Sequence, residues 1–190
     1  MRSVSAFLVI FMLTLSQYVS GQSFSFRSTK WGMDSNQVKN IESSSFLYSK
    51  GNSLYYSGKL SNLDAKIIYS FTSSDQLYQT FYVITLNSKN PSLYVNNFLI
   101  LQELLSTKYN QPVKKSVNTI NGKTITQDEW ASNLISDNLN LETKWKTDNT
   151  EIILSLYSIN DELWIEVRYT SIDFNKKVDE EKKAKLLKDI

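Results

Sequence analysis

The residues that could carry out chemistry in this chain are carboxylates, because the chain contains no histidine and no cysteine. The commonest general base, the commonest transition-metal ligand and the thiol nucleophile are therefore missing, which excludes a serine triad that uses histidine. Its 5 glycines are scattered singly and cannot form a phosphate-binding loop. A pair of acidic side chains remains, and such a pair can hydrolyse a glycoside.

Three acidic pairs are candidates for a glycosidase site, and each also has a structural explanation. They are Asp34 with Glu42, Asp128 with Glu129, and Asp161 with Glu162. Asp34 and Asp128 precede segments with an apolar edge, which predicts helix N-caps, and Asp161 falls in a turn. The Asp and Asn residues of the predicted turns are too sparse for a calcium-binding loop. We therefore predict no catalytic residue, no metal site and no cofactor.

The beginning of the chain predicts export to the periplasm or the extracellular space. Arg2 supplies a positive charge, residues 4–15 form an apolar run, and Val19-Ser20-Gly21 places small residues where a signal peptidase cuts. We predict a signal peptide over residues 1–21 and a mature chain that begins at Gln22. An uncleaved anchor is the alternative, but a run of about 12 residues is shorter than the ~20 that a spanning helix needs.

The charge balance argues against nucleic acid as a partner. The 21 Lys and Arg residues nearly cancel the 19 Asp and Glu residues, which leaves a formal net charge of +2. A near-neutral chain gives no case for binding nucleic acid or an anionic membrane surface. No apolar run after the signal approaches the length of a membrane span. Without cysteine, an exported protein must rely on core burial for its stability.

The clearest structural pattern is an alternation of apolar and polar side chains over residues 139–171. It divides into three strands, separated by short turn-prone breaks at residues 147–149 and 159–161. Successive side chains of a strand point to opposite faces, so one set should face a core and the other water. Short turns join antiparallel neighbours, and the pattern therefore predicts a meander.

The predicted water face of this meander carries side chains that are unusual there. It holds Lys144, Ile153, Tyr157, Trp164 and Arg168, together with Lys146 and Glu166. Trp, Tyr and Arg are the residues that typically anchor interfaces. We predict that Tyr157, Trp164 and Arg168 contact a protein partner, with Lys144 and Ile153 beside them. The alternative is that the C-terminal tail or the other half of the fold covers this face.

Helix signals precede strands twice along the chain. Asp34 with Gln37 predicts a capping box and a short helix over residues 35–42. Strands follow, including a hairpin around Lys50-Gly51-Asn52. Asn90 and Pro91 open the longest helix, which runs to Tyr109. A strand over residues 113–120, a return over 123–126 and a short helix capped by Asp128 lead into the meander. The charged tail reads as a helix or a frayed end.

These patterns predict an α+β fold with antiparallel sheets and helices packed on one face. Residues 62–66 (Asn-Leu-Asp-Ala-Lys) echo residues 140–144 (Asn-Leu-Glu-Thr-Lys), which suggests two pseudo-repeats of a helix followed by a strand meander. We predict four parts: a signal peptide over 1–21, a first half over 22–90, a second half over 91–173, and a charged tail over 174–190.

Several short motifs, in this order, resemble those of small exported bacterial proteins that are mostly uncharacterised. The segment 26–34 (Phe-Arg-Ser-Thr-Lys-Trp-Gly-Met-Asp) with Val38 resembles their entry motif. Residues 108–112 (Lys-Tyr-Asn-Gln-Pro) are similar to the end of their long helix, with Asn110 where glycine is usual. Trp145-Lys146-Thr147, Thr150 and Ile152, followed by Arg168-Tyr169-Thr170-Ser171, resemble their closing strands.

The helix-then-strands arrangement is similar to the modules of β-lactamase-inhibitory proteins and of the small outer-membrane assembly lipoproteins. This resemblance implies a binding role through a sheet face and offers no catalytic residue. The lipid-bearing cysteine of the assembly lipoproteins is missing. We expect a secreted or periplasmic, non-catalytic binding module. The alternatives are a glycan-binding or glycan-cleaving envelope protein and a structural envelope protein without a small ligand.

Overall fold

The structure is a computed structural model that describes residues 25–188. The predicted signal peptide, residues 1–21, lies outside the described residues. The helices are α1 (Ser35–Ile41), α2 (Pro91–Tyr109), α3 (Trp130–Ile135) and α4 (Ile172–Lys188). The strands are β1 (Ser45–Lys50), β2 (Ser53–Leu60), β3 (Leu63–Phe71), β4 (Leu77–Ile84), β5 (Lys114–Thr119), β6 (Leu139–Lys146), β7 (Thr150–Ile159) and β8 (Glu162–Ser171). The fold is therefore α+β, as predicted.

All the strands join one antiparallel sheet in the order β1-β2-β3-β4-β8-β7-β6-β5. The two halves of the chain meet at its centre, where β4 pairs with β8 and Thr80 lies opposite Tyr169. The predicted meander over residues 139–171 is confirmed, because β6, β7 and β8 pair in sequence. The halves thus share one sheet, whose edges are β1 and β5.

The alternation in the strands produces a core on one side of the sheet. Ile67 of β3, Trp145 of β6, Leu154 of β7 and Ile165 of β8 are completely shielded from solvent. Helix α2 packs on this side with Tyr94, Val95, Phe98, Leu101 and Leu105, and α3 adds Leu134. At ~25 cal/mol per Å² of buried apolar area, this layer is the main source of stability in a chain without cysteine.

Local signals set the helix boundaries. Asp34 accepts a hydrogen bond from the backbone of Gln37 at 2.8 Å and completes the predicted capping box of α1. Asn90 caps α2, with Pro91 in its first turn, also as predicted. The prediction that Asp128 caps the third helix is wrong. Thr126 and Glu129 form the capping box of a 3₁₀ turn, Gln127–Glu129, that continues into α3.

The predicted return strand over residues 123–126 does not form. The Thr119 hydroxyl donates to the Lys123 carbonyl at 2.6 Å, and Gly122 adopts a positive φ of 68°. The hydrogen bond closes a turn after β5, and residues 123–126 form no strand. Strand β5 consequently pairs only with β6 and remains an edge strand.

The charged tail forms a helix along its described length. Helix α4 begins at Ile172 and contacts β4 and β8 at one end of the sheet. Val178 is buried, and Ser73 donates a hydrogen bond to Glu181 at 2.8 Å. Leu186 and Leu187 remain exposed. Over residues 25–188, no helix combines the length and the apolar character that crossing a membrane requires.

The suggested pseudo-repeats are not confirmed. The echoing segments fall in β3 and β6, which are the third strand of the first half and the second strand of the second half. In the sheet, β3 lies next to β4 and β7 lies next to β8, so β7 is the counterpart of β3. The echo instead links β3 with β6, which are not in equivalent places. The similarity of these segments is explained equally well by the shared demand for alternation.

Candidate functional site

The face of the sheet opposite α2 carries a row of side chains that crosses seven strands; we call this face the open face. Cross-strand pairing joins its members in succession. They are Tyr48, Tyr55, Ile68, Phe81, Arg168, Ile153 and Lys144. With about 4.8 Å between strands, the row extends over roughly 30 Å. Such a length exceeds a single small-molecule contact.

The five predicted binding residues all lie on this open face. Tyr157 pairs directly with Trp164, and Ile153 lies between Arg168 and Lys144. Directly opposed residues have Cβ atoms about 5 Å apart, so the two aromatic side chains form one contiguous unit. Both are partly exposed. The structure therefore places all five residues on one face of β6, β7 and β8.

No helix of residues 25–188 lies over Trp164. Helices α2 and α3 contribute their buried residues to the core on the opposite side. Helix α4 contacts the ends of β4 and β8 near Ser73 and Val178. The first half of the chain continues the same sheet, and Leu47 of β1 lines a groove beside Trp164. Trp164 remains partly exposed, so neither the tail nor the first half covers it completely.

Ile153 differs from the other four predicted residues because it is only 4% exposed. Its cross-strand neighbours Lys144 and Arg168 carry long aliphatic stems, which can cover an apolar side chain while their charged ends stay in water. Ile153 therefore supports the two cations and offers little surface of its own.

A partly buried charge network lies beside the aromatic pair. Arg168 Nη1 is 4.0 Å from Glu166 Oε1, and Lys144 Nζ is 3.3 Å from Glu142 Oε1. Burial raises the pKa of Glu166, and the Arg168 charge and a hydrogen bond from Tyr157 offset this effect only in part.

Sequence reasoning missed the part of the open face that the first half contributes. The rings of Tyr48 and Tyr55 stack with centroids 4.5 Å apart at 20°. A register shift between Phe46 and Tyr48 accompanies two exposed side chains, with Leu47 45% and Tyr48 43% exposed. The alternation in β2, β3 and β4 contained this information, since Tyr55, Ile68 and Phe81 occupy their non-core positions.

Trp164 borders a groove on each side. One groove, of about 280 Å³, is lined by Leu47, Ser57, Asp64, Ala65, Lys66, Val83, Thr85 and Trp164. The other, of about 540 Å³, lies between residues 85–89 and the turn that precedes β8. The indole thus stands between two recesses, an arrangement that lets a partner contact more than one of its edges.

Residues of the candidate acidic pairs have structural roles in the fold. Asp34 caps α1, and Glu42 binds Arg27 with two hydrogen bonds of 3.0 and 3.1 Å. Asp161 occupies a turn with a positive φ of 62°. Among residues 25–188, no group of three or more acidic side chains could hold a metal ion.

No family model, no curated protein and no solved structure matches this chain. The resemblance to exported bacterial binding modules remains an expectation from the sequence. The assignment of a site therefore depends on the geometry of the open face alone.

Proposed function

We propose that this protein is an exported, non-catalytic binding module that holds a protein partner against the open face of its sheet. The observation that supports the proposal is the continuous aromatic and charged surface around Trp164, which no helix of residues 25–188 covers. Export rests on the signal-peptide pattern of residues 1–21.

The size and composition of the open face favour a macromolecule. A standard protein interface buries about 800 Å² on each partner, which corresponds to a patch about 30 Å across. Trp164 and Tyr157 supply the large rigid contacts from which interfaces gain most of their binding energy. Glu166 and Arg168 beside them would select for complementary charge and fix the orientation of the partner.

The proposal is tested by measuring how much of a partner protein the wild type and two variants retain. The purified protein is immobilised, and envelope and secreted fractions of the source organism are passed over the wild type, Trp164→Ala and Ile135→Ala. Ile135 is a matched apolar control, because it is 57% exposed on α3, away from the open face. We expect Trp164→Ala to reduce retention of a defined protein at least tenfold and Ile135→Ala to leave it unchanged. Equal retention by all three proteins would contradict the site.

A glycan is the second candidate ligand, and the smaller groove beside Trp164 is the observation in its favour. Its lining combines one indole with the polar side chains of Ser57, Asp64 and Lys66. Sugars bind where an apolar surface adjoins a few placed hydrogen-bonding groups. On a glycan array, this candidate predicts hits that disappear in Trp164→Ala. An array without hits would eliminate it and leave the protein-binding proposal standing.

We also propose that the two halves of the chain are structural repeats of each other. Its support is the strand order, in which three strands of each half flank the central β4–β8 pair. Antiparallel pairing of β4 with β8 is what a two-fold relation between equivalent strands would produce. A related chain that carries a single half would support duplication. Relatives whose halves share no equivalent core positions would argue against it.

A further inference from the structure

A cleft of about 330 Å³ lies on the helix-covered side of the sheet, between the N-terminal segment, the end of α2 and the β6–β7 turn. We call it the Arg27 cleft. Its lining contains two cations, Arg27 and Lys108, and no carboxylate. Hydrogen-bonding groups of Asn149 and Thr150 face it from the β6–β7 turn. Arg27 is paired with Glu42 behind the lining, and Lys108 forms no salt bridge among the described residues, so Lys108 supplies the uncompensated positive charge of the cleft.

Arg27 is held in place by its backbone and by a buried carboxylate. Its φ of 48° lies in the left-handed region, which is unfavourable for a residue with a side chain. Arg27 Nε and Nη2 donate to the Glu42 carboxylate at 3.0 and 3.1 Å, and the Glu42 side chain is only 2% exposed. The tight turn in which the Thr29 N–H donates to the Phe26 carbonyl at 2.8 Å accounts for this φ, and the turn and the carboxylate together fix the position of Arg27.

One N–H of the guanidinium remains uncommitted. Arg27 Nη2 also donates to the Ser44 hydroxyl at 3.1 Å, and Nη1 makes one long contact, 3.4 Å to the hydroxyl of Tyr82, which leaves the second Nη1 N–H. A planar guanidinium that is fixed on its other atoms can present this N–H to a carboxylate or phosphate. Glu42 therefore acts as a positioning residue for the cleft.

Aromatic and aliphatic side chains provide walls for an organic group. The rings of Tyr109 and Tyr169 meet edge to face with centroids 6.2 Å apart, and Phe26 packs against Tyr169 at 5.0 Å. Burial raises the pKa of Tyr169 well above its ordinary value, and the neighbouring Tyr109 adds to the effect. Tyr169 consequently stays neutral at physiological pH and avoids adding a negative charge.

From this geometry we propose that the Arg27 cleft binds a small organic anion, with its carboxylate or phosphate held by Arg27 and Lys108 and its apolar body against Tyr109 and Phe26. The volume lies near the lower limit of the 300–1,000 Å³ typical of ligand pockets, so the ligand must be small. Lys108 alone has another explanation, since a cation in the last turn of α2 offsets the helix dipole. Arg27 lies outside α2, so the helix dipole does not explain its place in the cleft lining.

Trp31 supplies a local reporter for this cleft. Its indole Nε1 donates to Thr150 Oγ1 at 2.8 Å, and Thr150 lines the cleft. Trp164 lies on the opposite face and serves as the internal reference. In ¹⁵N–¹H spectra, the two indole signals are assigned with Trp31→Phe and Trp164→Phe.

The purified protein is titrated with benzoate, phenyl phosphate, inorganic phosphate and the neutral analogue benzyl alcohol. We expect a saturable shift of the Trp31 signal with benzoate or phenyl phosphate, a constant Trp164 signal, and benzyl alcohol at least tenfold weaker. The tighter of the two organic anions identifies the preferred head group. Inorganic phosphate shows how much of the affinity comes from charge alone.

Lys108→Gln is the decisive variant, because the Lys108 side chain is exposed and its loss should leave the fold intact. Losing one charge-assisted hydrogen bond should raise Kd about tenfold. Lys123→Gln, in the exposed loop after β5, is the matched control and should bind normally. The proposal is overturned if neither organic anion gives a saturable Trp31 shift, if benzyl alcohol binds equally well, or if Lys108→Gln binds like the wild type.

Discussion

Two tryptophans of the C-terminal meander have opposite environments. Trp145 of β6 is completely buried in the core, whereas Trp164 of β8 is partly exposed on the open face. Alternation along the strands causes this difference. Trp145 occupies a position of β6 that faces the core, and Trp164 occupies a position of β8 that faces away from it. A residue-level test can therefore separate a structural indole from a binding one.

We expect Trp145→Ala to lower the free energy of unfolding by about 3–5 kcal/mol, since it leaves a large cavity in the core. Trp164→Ala should cost no more than about 1 kcal/mol, because it removes surface contacts only. Urea denaturation of both variants measures the two values. A loss for Trp164→Ala as large as that for Trp145→Ala would show that its indole is structural.

The Glu42 carboxylate gives a prediction that depends on pH. Burial opposes its ionisation, but hydrogen bonds from Tyr69 and Ser44 and the charge of Arg27 outweigh burial and lower the pKa of Glu42 below its ordinary value of 4.5. A lowered pKa in the folded state contributes stability above the unfolded pKa, and this contribution is lost as the pH falls through the folded value.

Glu42→Gln should therefore destabilise the protein at pH 7 by about 3 kcal/mol, because Arg27 loses its buried partner. The difference from the wild type should shrink as the pH falls below about 4.5. Urea denaturation at several pH values measures it. Glu103→Gln, an exposed position on α2, is the control. A difference that is constant down to pH 3 would contradict the assigned shift.

At the scale of elements, the signals that the sequence revealed are local ones. The alternation of β6, β7 and β8 and the caps of α1 and α2 depend on a few neighbouring residues, so they were predicted correctly. The cap of α3 was misassigned because Thr126 with Glu129 also fits a capping box, and this pair outcompetes Asp128. The sequence did not identify the open-face residues of β1 to β4 as part of the site. They become continuous with the predicted binding residues only because β4 pairs with β8.

The capping box of α1 allows a direct test of local stabilisation. Asp34→Ala removes the acceptor for the Gln37 backbone and should cost about 1 kcal/mol, whereas Asp34→Asn keeps an acceptor and should cost only a few tenths. Asp128→Ala should have little effect, because Thr126 provides the cap of the 3₁₀ turn. Thermal or urea unfolding distinguishes these outcomes. A larger loss for Asp128→Ala than for Asp34→Ala would contradict the cap assignments.

For the whole molecule, the decisive feature is the pairing of β4 with β8, which makes two groups of strands into one sheet. This pairing joins residues 79–84 with residues 165–170. Strands so distant in sequence leave no local trace of their pairing, so alternation alone did not predict the strand order. For the same reason, the sequence located only the C-terminal portion of the open face.

A sheet that is continuous across both halves predicts cooperative unfolding. Helix α2 packs on β6, β7 and β8, while Phe26 contacts Tyr69 and Tyr82 of the first half and Tyr169 of β8. Loss of either half would expose the shared core. We expect urea unfolding curves from far-UV and near-UV circular dichroism to coincide. Two separated transitions would show that the halves are independent.

The central claim, that the open face around Trp164 is a recognition surface, is tested most directly by site-specific photo-crosslinking in the organism that makes the protein. A benzophenone amino acid is introduced at position 164 and, as a control, at position 120, where Ile120 is 84% exposed in the loop after β5. We predict a discrete crosslinked protein from position 164 and none from position 120. The absence of a crosslink at position 164, or the same products from both positions, would contradict the claim.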